Sequence, residues 1–97
     1  MSFPEEKITL DTIVAQSDDV ISDQVGAEVV MLRLKSSAYY NTDDIGAIIW
    51  KQIASPQLVD DLCKALMEIY DVTPDRCHAD VLSFLNQAYQ EGMIQIV

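Results

Sequence analysis

The sequence predicts a small α+β domain in which a three-stranded antiparallel sheet is followed by three helices. Three observations predict it. Apolar residues recur at every second position up to about Asn41, and at three- and four-residue spacing beyond it, the signatures of strands and helices. Thr73-Pro74 and Gly92 bracket a long helical stretch as start and stop signals. The 97 residues are 49% hydrophobic and 23% charged, which suits one folded core and leaves no room for a second.

Residues 1–19 read as an N-terminal arm laid on a domain formed by residues 20–97. Within the arm, Ile8-Thr9-Leu10-Asp11-Thr12 alternates like a strand until Gln16-Ser17-Asp18-Asp19 interrupts it. Val20 to Val25 is a short strand, and Gly26-Ala27 supplies a turn, glycine tolerating a positive φ. Glu28 to Leu34 is the strongest strand. It places Val30, Leu32 and Leu34 on one face and Val29, Met31 and Arg33 on the other. Apolar residues on both faces imply a strand covered on both sides, or one face kept for a partner. Lys35-Ser36-Ser37 turns the chain into a third strand, Ala38 to Asn41, which consecutive hairpins leave on an edge.

The first helix begins near Asn41 or Thr42, either of which can cap it, with Asp43 and Asp44 favourably placed against the helix dipole. Ile45, Ile48, Ile49 and Ile53 form its inward stripe, Trp50 joins the core, and Gly46 allows close approach of another backbone. Ser55-Pro56 opens a second helix carrying Leu58, Val59, Leu62, Cys63, Leu66, Ile69 and Tyr70. The third helix, capped by Thr73, runs to about Glu91. Cys77, Val81, Phe84, Leu85 and Ala88 form its apolar stripe, and Arg76, Asp80, Ser83 and Gln87 lie opposite. A stripe this wide serves either two packing neighbours or a groove. Met93 to Val97 can close the fold as a last strand.

Sixteen Asp and Glu against six Lys and Arg give a formal charge of −10. Split at residue 35, the chain carries 7 acidic and 3 basic residues, then 9 acidic and 3 basic, so the charge is spread through the domain. Phosphate-backbone affinity comes from Lys and Arg, so nucleic acid and anionic membranes are both disfavoured, and a basic partner is favoured. The longest apolar runs, Val29 to Leu32 and Ala47 to Trp50, are far short of the ~20 residues of a membrane span. No secretory signal precedes the domain, so the cytoplasm is the expected location. Cys63, Cys77 and the lone His78 follow no zinc-ligand spacing, and both cysteines read as small buried hydrophobes. Nucleophile elbows, phosphate loops and Cys/His catalytic spacings are absent, so neither an enzyme nor a cofactor is expected.

Two segments together resemble a known family. The first runs from Glu28 through Tyr39-Tyr40 to Gly46-Ala-Ile-Ile-Trp50; the second is Leu58-Val-Asp-Asp-Leu, Tyr70-Asp-Val-Thr-Pro, Asp80-Val-Leu-Ser-Phe-Leu and Glu91-Gly-Met-Ile94. Over residues 20–97 they resemble the PqqD-like recognition elements of ribosomally made, modified peptides, above all the free-standing kind of lasso peptide biosynthesis. Leu58 departs from the pattern, which more often has a hydroxyl residue capping the second helix. The resemblance implies a winged-helix-like fold and a non-catalytic adaptor. Such an adaptor binds a precursor's leader as an added β-strand and presents the precursor to a separate cysteine-protease leader peptidase. It further implies a peptide-binding edge at Ala38, Tyr39 and Tyr40, with Met31, Arg33 and Leu34 beside it. The cleft wall would come from Asp80, Val81, Phe84 and Leu85. Two alternatives share the fold. One is a chaperone for the precursor of pyrroloquinoline quinone. The other is a winged-helix DNA-binding protein, which should carry a basic recognition helix where this chain has Asp75, Asp80 and Glu91 around Arg76.

Overall fold

The computed structural model describes residues 7–97. Four strands come first: β1 (Ile13–Gln16), β2 (Val20–Val25), β3 (Glu28–Arg33) and β4 (Ala38–Asn41). Then follow α1 (Asp44–Gln52), β5 (Gln57–Leu58), α2 (Val59–Ile69), α3 (Pro74–Gln90) and β6 (Ile94–Ile96). The chain is α+β, as the change of period implies. Its antiparallel sheet has the order β2-β3-β4, with β4 on an edge. Gly26, at φ 64°, makes the turn between β2 and β3, and Ser37, at φ 57°, precedes β4.

Of a second sheet, of order β5-β1-β6, the sequence reading holds only the last strand, expected within Met93 to Val97 and found at Ile94–Ile96. Its strands are four, two and three residues long and come from three separate regions of the chain. Pieces that short show no periodicity. The strand expected at Ile8 to Thr12 is displaced to β1, because a turn closes there instead: the Thr12 N–H donates to the Thr9 carbonyl at 3.1 Å. The Thr9 N–H in turn donates to the Thr12 hydroxyl at 2.9 Å. Of the arm, residues 1–6 lie outside the described residues. Ile8 is buried and clipped to α3, its N–H donating to Asn86 Oδ1 at 2.9 Å while Asn86 Nδ2 donates to its carbonyl at 3.2 Å.

Helix starts differ from expectation in two places. Asp43, not Asn41 or Thr42, caps α1, its Oδ1 accepting from the Gly46 N–H at 2.7 Å. Thr42 is buried, and its hydroxyl accepts the Val29 N–H at 3.1 Å. Pro56 does not open α2, since Gln57–Leu58 first pair with β1, and Leu58 then occupies the cap position without a side-chain bond. Thr73 caps α3 as the sequence implies, with Pro74 in the first turn, and Gly92 follows the helix at φ 77°.

The core joins Met31 of β3, Ile49, Trp50 and Ile53 around α1, Val59 and Leu62 of α2, Val81 and Leu85 of α3, and Met93. Ile45, expected in the inward stripe of α1, is instead exposed. Val29 and Met31 take the inner face of β3; on its outer face Val30 and Leu32 are half-buried. Cys63 and Cys77 are free, buried thiols between α2 and α3. Burial, then the neighbouring Cys77 and Asp60, pushes the Cys63 thiol up to about 12, so it stays protonated at neutral pH. Among the described residues no helix is long and apolar enough to cross a membrane.

Candidate peptide-binding cleft

Backbone geometry defines the site first. In an antiparallel ladder, residues bonded to the neighbouring strand alternate with residues whose N–H and C=O face away from it. The Thr42 N–H donates to the Val29 carbonyl at 3.0 Å, which fixes the phase. With Met31 paired to Tyr40 and Arg33 to Ala38, the backbone groups of Ala38, Tyr40 and Thr42 point into the sheet. Tyr39 and Asn41 therefore turn theirs outward along an edge that no strand among the described residues pairs with. Side chains follow the opposite logic. Tyr40 leans inward and is half-buried, while Tyr39 is 65% exposed on the outer face.

That edge opens on a cleft of about 400 Å³ between β4, the first turns of α1 and one face of α3. Phe84 faces Tyr40 across it, ring centroids 6.4 Å apart and tilted by 56°, a favourable aromatic geometry. Gly46 lies against the same ring: a Cβ there would stand 3.0 Å from Phe84 Cε1 and 2.9 Å from Thr42 Cβ. Its small size thus serves a side chain, not the backbone approach expected from sequence. Gly46→Ala should push the Phe84 ring into the cleft, because Thr42 is held by hydrogen bonds and cannot yield. Overpacking of about 1–3 kcal/mol is offset in part by the ~1 kcal/mol helix preference for alanine. A severalfold loss of peptide affinity with a melting shift of a few degrees is the expected outcome, read by binding titration and thermal melts.

Carboxylates mark the cleft's polar rim. Asp43 and Asp80 line it from opposite walls, and Asp80 is held by Arg76 at 3.1 Å in an exposed ion pair. Burial, then the charges of Glu91 and Asp43, raises the Tyr40 pKa, so its phenol is neutral across the physiological range. Past Ile45 and Asp80, an apolar pocket of about 110 Å³ lined by Leu66, Tyr70 and Val81 continues the surface between the helices.

The structure brings Tyr40, Asp80 and Phe84 together in the cleft, with Tyr39 on its edge; Ala38 is on the same strand. It places the other predicted residues elsewhere. Met31 and Leu85 are fully buried and shape the cleft only from beneath. Val81 is buried at the smaller pocket. Arg33 sits on the inner face, its guanidinium paired with Asp19 at 3.3 Å and packed on Gly92 beyond the end of α3. Leu34 is exposed just past β3. Sequence reasoning missed Asn41, Asp43, Gly46, Ser83 and Gln87. The signal was present: Asp80, Ser83 and Gln87 flank Phe84 at helical spacing, but a polar row reads as a solvated face.

A second free edge runs along β2. The Leu34 N–H donates to the Asp19 carbonyl at 2.8 Å, a phase that leaves Ser22 and Gln24 facing outward. The groove beside it, near Trp50 and Lys51, is smaller at about 270 Å³. Ser22 is already engaged there, accepting the Trp50 indole N–H at 3.0 Å. Among the described residues, no cluster of three or more His, Cys, Asp or Glu is placed to hold a metal ion.

Residues 28–94 match the sequence model of the family described as coenzyme PQQ synthesis protein D (PqqD). Comparison with curated proteins gives no significant match. Among solved structures, the chain is similar to TbiB1 in complex with the TbiA(beta) leader peptide. The TM-score is 0.79 and identity 25%, over 84% of this chain and 94% of that one. A lasso peptide synthetase B1 complexed with its leader peptide has the same fold, with TM-score 0.69 and 20% identity over 84% of this chain and 96% of that one.

Proposed function

The chain belongs to the PqqD family, and from that premise we propose that it is a non-catalytic adaptor that captures the leader of a ribosomally made, lasso-type precursor peptide. The observation that carries this reading is the edge of β4, where outward-facing amides of Tyr39 and Asn41 border an aromatic-floored cleft. An extended peptide completes such an edge by β-augmentation: backbone bonds supply affinity, and pockets for alternate side chains supply selectivity. Tyr39 and Asn41 provide the backbone partners, Tyr40 and Phe84 the apolar floor, and Asp43 and Asp80 the rim that favours Lys or Arg in the leader. Each rim charge acts mostly on encounter rate and is screened by salt. The solved complexes of TbiB1 and of the lasso peptide synthetase B1 with leader peptides support the reading.

The adaptor would work in the cytoplasm, holding the leader while a separate cysteine-protease leader peptidase cleaves it. The family's description favours a second reading, a chaperone for the pyrroloquinoline quinone precursor, which differs only in the leader bound. DNA binding is disfavoured by α3, whose exposed Arg76 is neutralised by Asp80. Fluorescence polarisation with labelled leaders tests both surviving readings. Micromolar or tighter binding of a lasso-type precursor leader is expected. Binding only of a quinone-cofactor precursor selects the second reading, and binding of neither overturns the adaptor role.

A further inference from the structure

Helix α3 meets the inner face of the β2-β3-β4 sheet at two points. Near its middle, Phe84 stands against Tyr40 of β4, at the cleft. Just beyond its end, Gly92 meets Arg33 of β3: a Cβ on Gly92 would collide with Nη1, Cζ and Nε of Arg33, so the guanidinium lies against the bare glycine. At 1.5 Å per residue the two points are about 12 Å apart along the helix. A helix held at two points has its tilt fixed. The spacing at Gly92 is therefore felt at Phe84, the wall that faces β4.

Three observations make Arg33 a built support. First, α3 has no basic residue in its last turn and ends on Glu91, although a helix C-terminus favours a cation; Arg33 supplies that cation from the sheet. Second, Asp19 anchors the guanidinium, Oδ2 accepting from Nε at 3.3 Å, while the Asp19 carbonyl accepts the Leu34 N–H at 2.8 Å. Both members of the pair are thus tied to the end of β3. Third, their side chains are 33% and 20% exposed, against 74% and 61% for Arg76 and Asp80, so the Arg33 pair is the better shielded from solvent and salt.

We propose that Arg33 is a positioning residue for leader capture: carried on β3 and braced by Asp19, it props the end of α3 and so sets the gap between β4 and Phe84, without touching the peptide. This rests on the leader-binding reading above. It gives Arg33 a part in peptide binding that its distance from the β4 edge conceals. Gly92 serves it twice, by turning the chain at φ 77° and by leaving room for the guanidinium.

The test uses the full chain, a labelled lasso-type precursor leader, and the ring signals of Tyr40 and Phe84 read by NMR in the absence of peptide. Arg33→Met keeps the stem and removes the guanidinium; it should lower leader affinity about fivefold or more and shift both ring signals in the free chain. A contact that only stabilises the fold would lower the melting temperature and leave the ring signals in place. Arg33→Lys restores the charge but not the flat fork, so it should recover part of the affinity. Asp19→Asn, the milder variant, keeps the guanidinium on Gly92 with a looser anchor and should cost about twofold, with ring shifts in the same direction. Gly92→Ala displaces the guanidinium from the other side, and in the Arg33→Met background it should cost little further affinity. Unchanged affinity in both Arg33→Met and Asp19→Asn overturns the support. Lost affinity with unmoved ring signals means that Arg33 touches the leader, and overturns it as well. Full additivity of Arg33→Met and Gly92→Ala does the same. Failure of the unsubstituted chain to bind leader contradicts the adaptor reading instead, and is separable because the ring signals are read without peptide.

Discussion

Tyr39→Pro is expected to lower leader affinity at least tenfold while leaving the sheet intact. Proline removes the N–H that faces the incoming strand, and its ring fills the space where that strand would approach. One net backbone hydrogen bond is worth about 0.5–1.5 kcal/mol, and the obstruction of a neighbouring pair adds to it. Edge strands accept proline where the N–H faces solvent, and Tyr39 satisfies that condition in the free protein. Tyr40→Pro is the informative contrast. Its N–H points into the ladder toward Met31, and its ring supports Phe84, so that variant should lose thermal stability as well as binding. Tyr39→Ala, which keeps the amide, should retain most leader affinity, because the Tyr39 side chain lies on the outer face. Isothermal titration beside circular dichroism melts separates the three. Equal binding by Tyr39→Pro and the unsubstituted chain would rule out strand addition at this edge.

Trp50→Ala is expected to cost about 3–5 kcal/mol, the usual range for deleting a large buried aromatic. Trp50 is 2% exposed, and it ties α1 to β2 through the bond from its indole N–H to Ser22 Oγ at 3.0 Å. The total stability of a domain this size is about 5–15 kcal/mol, so the loss is a large share. A melting temperature lower by on the order of 15 °C or more follows, at roughly 4–8 °C per kcal/mol. Trp50→Phe keeps most of the volume and loses only the indole bond, so its shift should be several-fold smaller. Differential scanning calorimetry checks both. A Trp50→Ala melt within a few degrees of the unsubstituted chain would contradict the role assigned to this side chain.

The parts of the molecule legible in the sequence are those with enough residues to display a period or a local signal. The β2-β3-β4 meander, the span of α3 and the Thr73 cap were all readable, as was the core role of Trp50. Of the β5-β1-β6 sheet only the last strand was readable, within Met93 to Val97, because the pairing joins Ile13, Leu58 and Ile96 across most of the chain and no one window holds it. At the cleft, Tyr40, Asp80 and Phe84 were legible together, whereas Arg33 was drawn away by Asp19. That attraction depends on the tertiary path of the turn before β2, and composition cannot supply it. Gly46 was singled out for its size, but which neighbour needed the space became clear only with Phe84 in place.

Capture of a leader by strand addition to β4 is tested most directly by amide hydrogen exchange of the full chain, followed by NMR with and without its leader. The amides of Tyr39 and Asn41 should gain at least tenfold protection on saturation. Ala38 and Tyr40, already bonded within the ladder, should change little. Protection appearing at Ser22 and Gln24 on the edge of β2, or no new protection on β4, would contradict the account.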